Sequence, residues 1–202
     1  MFFNNNQILN KRFLNNYLKI FLVLFTFIFF SGCSSIDRKN DWSDSKNLIS
    51  SWQVSKIQVG DIIIKNKTLN PLEWYGHCGV VVSRTSIADY PQPFMGYREQ
   101  KYYYWLYDEG RKIIVLRYPN FTEEFKEAFL KNVEATKNQE YWFTLNKRST
   151  DTTYCSKYIW YLYWKTAQDL GYELNIDNEA LFAVFPYDFL ETDTLEQVFI
   201  KN

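Results

Sequence analysis

The stretch Thr152-Thr153-Tyr154-Cys155-Ser156-Lys157-Tyr158-Ile159-Trp160 decides how the chain is read. A short polar run leads into a cysteine, and the cysteine opens an aromatic-rich segment that reads as a helix. The free amides and positive dipole end of a helix favour thiolate over thiol. Asp151, Thr152 and Thr153 are the expected caps. A thiolate nucleophile also needs a base that takes and returns a proton. The chain has one histidine, His77, in Trp74-Tyr75-Gly76-His77-Cys78-Gly79-Val80-Val81-Val82. Cys155 and His77 are therefore expected to meet in space.

Around these two stretches the pattern predicts a small antiparallel sheet and two main helices. Gly60-Asp61 is a turn signal, and Ile62-Ile63-Ile64-Lys65 reads as a buried strand. Gly76 to Ser83 is a second strand, and Thr85 to Pro93 reads as a loop. Phe94 to Tyr107 predicts one or two strands, and Lys112 to Arg117 another. Asn120 and Glu123 form a plausible capping box. Phe125, Phe129 and Val133 then recur every four residues on one helical face. The Cys155 helix runs to about Leu170, with Gly171 as its stop. The tail from Leu181 to Ile200 supplies a further strand or a clasp. Strand side chains alternate faces, so His77 facing the site implies Cys78 facing away.

Of the 202 residues, 20% are aromatic and 47% hydrophobic, which predicts a core built on Phe, Tyr and Trp. Residues 1–32 hold the basic side chains Lys11, Arg12 and Lys19 and no acidic ones. Without them, 20 basic residues face 23 acidic ones, a net charge of −3. No basic surplus recommends nucleic acid. One histidine and two cysteines in the domain give too few soft ligands for a metal centre, and no cofactor is expected.

The N-terminal segment is read as targeting rather than fold. Ile20 to Phe30 is an apolar run too short to span a bilayer comfortably. Phe30-Ser31-Gly32-Cys33 resembles the lipobox of bacterial lipoproteins. The resemblance implies a signal peptide over 1–32, cleavage before Cys33 and lipid on its sulfur. That would anchor the protein to a bacterial membrane of the cell envelope, facing outside the cytoplasm. Residues 33–51 are polar and read as a tether, which leaves 52–202 as one domain. An oxidising compartment would permit a Cys78–Cys155 disulfide, at the expense of the nucleophile.

Three motifs in order carry a further resemblance: Gly60-Asp61-Ile62-Ile63, Gly76-His77-Cys78-Gly79-Val80-Val81 and Tyr154-Cys155-Ser156-Lys157-Tyr158-Ile159-Trp160. They are similar to motifs of the permuted NlpC-type branch of papain-like cysteine hydrolases, the YiiX/YebB-like group. Phe185-Pro186-Tyr187-Asp188-Phe189-Leu190 resembles the closing Pro-x-Asp segment of that group. The resemblance implies an α+β, permuted papain-like fold, a small antiparallel sheet with the nucleophile helix packed on it. It implies Cys155 as nucleophile, His77 as general base, and peptide amides, cell-wall peptides or acyl lipids as substrates. The residue that orients His77 is the open point. Glu99 is the first choice, with Tyr97 and Asp89 behind it. A catalytically inactive binding lipoprotein and a lipid acyltransferase are the rival readings.

Overall fold

The structure is a computed structural model that describes residues 41–50, 56–69, 73–107, 110–178 and 182–198. The chain divides into two compact units, Met1–Ile36 and Asp37–Asn202, and every described residue belongs to the second. The signal peptide, Cys33 and the first part of the expected tether lie outside the described residues.

The elements run in the order β1 (Ser43–Asp44), α1 (Ser45–Ser50), β2 (Ile62–Lys65), β3 (His77–Val81), β4 (Ser86–Asp89), β5 (Arg98–Lys101), α2 (Tyr102–Leu106), β6 (Lys112–Arg117), α3 (Glu123–Thr136), β7 (Glu140–Tyr141), β8 (Thr152–Thr153), α4 (Cys155–Asp169), a 3-10 turn (Pro186–Leu190) and β9 (Glu196–Val198). The class is α+β. The central sheet has the order β1-β6-β2-β3-β4-β5, with β9 also on β6, and all its pairings are antiparallel. One edge of β6 takes β2, and β1 and β9 share the other.

Both faces of the sheet are buried, which is why Ile62-Ile63-Ile64 is apolar without alternation. One face holds Ile62, Ile64, Cys78, Val80, Ala88, Ile114 and Leu116 against α3 and α4. The other holds Ile63, Val81, Ile87, Ile113 and Val115 against Leu48, Trp105 and Leu106. Helix α3 turns Phe125, Phe129 and Val133 inward, as its four-residue recurrence requires. Its cap is Thr122, whose hydroxyl accepts the Phe125 N–H at 3.1 Å, in place of the expected Asn120.

Three expectations are corrected. Residues 41–50, read as tether, are folded: β1 pairs with β6 and Leu48 is fully buried. A polar composition concealed one anchoring leucine. Tyr102 to Leu106 is a helical turn and not a strand, because Tyr102, Trp105 and Leu106 bury together at i, i+3 and i+4. Ser86 to Asp89, read as loop, is a strand held between two neighbours. Among the described residues, no helix is long and apolar enough to cross a membrane.

Candidate active site

Cys155 is the first residue of α4, with Tyr154 at the cap position and no side-chain cap. Thr152 and Thr153 do not cap it, because their backbone pairs in parallel with Glu140 and Tyr141. The first bond of the helix runs from the Tyr158 N–H to the Tyr154 carbonyl, 2.9 Å. The N–H groups of Cys155, Ser156 and Lys157 precede that ladder. The helix start is pinned by three side chains. Ser156 Oγ donates to the Val184 carbonyl at 2.7 Å. Tyr154 Oη accepts the Val184 N–H at 3.1 Å. Buried Lys157 donates Nζ to the carbonyls of Ser149, at 2.6 Å, and Thr152. Burial pulls the Lys157 ammonium down to about 8 against the opposing charge of Asp151.

His77 opens β3 directly after Gly76, whose φ of +78° lies in the left-handed region. A Cβ at Gly76 would stand 2.9 Å from the Lys65 carbonyl oxygen and from the Tyr187 ring. Only glycine takes this backbone and clears both neighbours. His77 leaves the strand on the Trp105 face, with ring centroids 5.8 Å apart. Cys78 leaves on the opposite face and packs in the cluster that borders Cys155. The expectation that Cys78 points away from the site is therefore corrected. Cys155 packs against that cluster, and both Cys78 and His77 act to lower its thiol.

The strand register explains this placement. Val81 donates to the Asp61 carbonyl at 2.9 Å, so alternate residues of β3 bond to β2. By that parity the Cys78 N–H faces the other way, towards β4. The β4 ladder pairs with β3 only at Val80 and Val81. Past its end, the Cys78 N–H is directed to the Cys155 sulfur.

The group behind the imidazole is Asp89. His77 Nε2 lies 2.8 Å from Asp89 Oδ2, which leaves Nδ1 for the sulfur. Trp105 Nε1 donates to the same carboxylate oxygen at 2.7 Å, and Arg98 Nε reaches Oδ1 at 3.4 Å. Asp89 is fully buried. Glu99, the first choice from sequence, does not occupy this place. It accepts from Ser86 Oγ at 2.7 Å and from Tyr97 Oη at 3.1 Å. The reason is parity. Glu99 pairs with Ala88 and shares its face, whereas Asp89 points to the Trp105 side. Tyr97 is engaged with Glu99 and not with His77.

The electrostatics follow from these contacts. Hydrogen bonds from Cys78 hold the Cys155 thiol well below its usual range against the cost of burial, and the His77 hydrogen bond and charge add to this. Burial alone would lower His77, but hydrogen bonds to Asp89 and Cys155 and their charges outweigh it and lift it to about 9. Asp89 is raised by burial and lowered further by the His77 hydrogen bond and charge, so it ends below the usual carboxylate range. These contacts favour thiolate on Cys155 and imidazolium on His77.

Two ring pairs lie close in sequence to the helix start and to His77. Tyr75 stacks on Phe185 with centroids 5.1 Å apart, and Phe143 stacks on Tyr154 at 5.3 Å. Burial raises the Tyr141 phenol, and the charge of Cys155 adds to this. A cleft of about 540 Å³, lined by Lys147, Arg148, Trp160 and Trp164, runs along α4 and touches neither Cys155 nor His77. The charge pattern, and not the volume, marks the site.

Fold and site together define an α+β protein in which a cysteine at a helix start meets a His–Asp pair at the end of an antiparallel sheet. The fold is that of the YiiX-like group. The chain is similar to the crystal structure of metalloprotein YiiX from Escherichia coli O157:H7, with a TM-score of 0.54 and 15% identity, over 71% of this chain and 97% of that one. No family profile and no curated protein matches the sequence.

Proposed function

We propose that the protein is a membrane-tethered, extracytoplasmic cysteine hydrolase of permuted papain-like type, acting on amide or acyl bonds. The observation that carries this reading is the Asp89–His77–Cys155 chain at the N-terminus of α4. Cys155 thiolate attacks the carbonyl carbon. The Cys155 N–H at the helix start stabilises the oxyanion. The His77 imidazolium gives its proton to the leaving amine or alcohol, which leaves a thioester on Cys155. His77, now neutral, takes a proton from water, and the hydroxide expels the thiolate. Asp89 holds the ring in the orientation these transfers need.

YiiX is described as a metalloprotein. The described residues of this chain do not fit a metal ion. Among the described residues no group of three or more His, Cys, Asp and Glu side chains converges. His77 Nε2 is engaged by Asp89, and Cys78 is fully buried in the core cluster. No step of the proposed reaction passes through a metal.

The presence of a carboxylate behind His77 speaks against the inactive binding reading. Lipid acyl transfer keeps support from the exposed rings Tyr75, two residues before His77, and Phe143, stacked on Tyr154. An apolar acyl chain fits such a wall better than a charged peptide does. Lipidation of Cys33 is part of the same proposal, and it would place the site near envelope substrates.

The test is labelling with an electrophilic thiol probe at neutral pH. Cys155 in the wild type is expected to react fast, Cys155→Ala to lose that signal, and His77→Ala to slow it several-fold. Equal labelling of all three overturns the reading. Incorporation of a fatty-acid analogue into wild type, and its loss in Cys33→Ser, tests the anchor.

A further inference from the structure

The nucleophile has a second thiol against it. Cys78 is fully buried on the α4 face of β3, in one packed cluster with Tyr158 and Ile159 of α4. Cys155 packs against that same cluster, and the Cys78 side chain is the leading influence that lowers its thiol. Both cysteines are free, and the two differ in access, with Cys78 buried and Cys155 half-buried. An aliphatic side chain would pack at this position equally well and would offer the sulfur no donor. We propose that Cys78 and Cys155 form a reversible disulfide that shuts off and protects the nucleophile, with Cys155 as the thiol that meets a hydroperoxide and Cys78 as its resolving partner. This rests on the reading of Cys155 as a thiolate nucleophile.

The asymmetry assigns the two roles. Burial keeps the Cys78 thiol well above its usual range and therefore protonated, whereas Cys155 is held as thiolate. Thiolate character and access together set which sulfur is oxidised first. Cys155 attacks one oxygen of a hydroperoxide; the O–O bond breaks, an S–OH forms, and the departing alkoxide or hydroxide takes a proton. Sulfur loses two electrons and the peroxide gains them. The Cys78 sulfur then attacks the Cys155 sulfur. An S–S bond forms, the S–O bond breaks, and hydroxide leaves with the Cys78 proton as water. Closing the pair to a bond of about 2.05 Å joins two side chains that pack at one core cluster. A dithiol reductant reverses the lock by attacking the accessible Cys155 sulfur, and Cys78 recovers its proton.

The experiment treats the full-length protein with hydrogen peroxide and maps peptides before and after a dithiol reductant. Wild type is expected to lose Cys155 labelling, to lose about 2 Da and to yield a Cys78–Cys155 linked peptide, all restored by reduction. Cys78→Ser keeps a hydrogen-bond donor but cannot resolve. Its Cys155 is expected to gain about 32 Da as sulfinic acid, with no recovery. Cys78→Ala serves in the same assay if the serine disturbs folding. A wild type that oxidises irreversibly like the variants, or that links Cys155 to Cys33, overturns the proposal. If Cys155 alkylates readily before oxidation yet never bonds to Cys78, the switch fails and the hydrolase reading stands. If reduced Cys155 does not react at all, both fall.

Discussion

Asp89 Oδ2 receives His77 Nε2 and Trp105 Nε1 together, at 2.8 and 2.7 Å, on one buried carboxylate oxygen. His77 and Asp89 sit on neighbouring strands whose register places Val80 opposite Ala88. Continued by one residue, that register sets Gly79 opposite Asp89. A Cβ at Gly79 would approach the Trp105 ring to 3.0 Å. The bare glycine lets Trp105 reach the carboxylate, and Trp105 holds that carboxylate on the imidazole.

The first prediction concerns that contact. Asp89→Asn keeps the shape but removes the charge that favours the imidazolium. The pH at which His77 deprotonates is expected to fall by about one to three units from its raised position near 9. NMR titration of the single histidine reads this directly. A His77 titration that does not move would show that Asp89 has no electrostatic hold on the ring.

The second prediction follows from the sulfur. Cys155 is depressed below its usual 9.0, and His77 is raised above its usual 6.5 to about 9. The thiolate–imidazolium pair therefore spans the range between the depressed thiol and the raised imidazole, and ends at about pH 9. Alkylation of Cys155 is expected to be nearly flat across about pH 7 to 8, where an unperturbed thiol near 8.5 would speed up by close to tenfold per unit. In His77→Ala the rising profile of an ordinary thiol should partly return. A wild-type rate that climbs steeply through neutrality contradicts the pair.

How much of this is legible in the sequence depends on local signal. Lys112–Arg117 and the apolar face of α3 stand out because their periodicity is strong. Cys155 and His77 stand out because the chain has one histidine and a cysteine at a helix start. Asp89 ranks only behind Glu99 there, because Ser86-Ile87-Ala88-Asp89 lacks β-branched density and is followed by two prolines. It becomes a strand because β3 and β5 hold it on either side. The run of tyrosines at 102–104 has strand composition, but helical spacing wins once Trp105 and Leu106 bury. Neither the face of Glu99 nor the direction of the Cys78 N–H can be read without the register.

The third prediction tests the turn before β2. Gly60 has φ +92°, and a Cβ there would stand 2.3 Å from the Phe121 ring. Its carbonyl accepts the hydroxyl of buried Tyr163 on α4. Gly60→Ala combines backbone strain with overpacking and is expected to destabilise by about 2–4 kcal/mol. That corresponds to a melting temperature lower by roughly 5–15 °C. A thermal melt within one or two degrees of wild type would mean that the Phe121 ring moves aside freely.

The last prediction separates tether from domain. Residues 41–50 lie outside the hydrolase boundary expected from composition, yet Leu48 is fully buried against Trp105, Leu106 and Ile113. Leu106 and Trp105 belong to the turn that supports Asp89, so packing at Leu48 backs the site from behind. Leu48→Ala removes apolar contact and leaves a cavity, at a cost of about 2–5 kcal/mol. A solvated tether, as the polar neighbours Lys46 and Asn47 suggest on composition alone, would lose nothing on the same substitution. Chemical denaturation of Leu48→Ala against wild type decides between them, and an unchanged midpoint would return 41–50 to the tether.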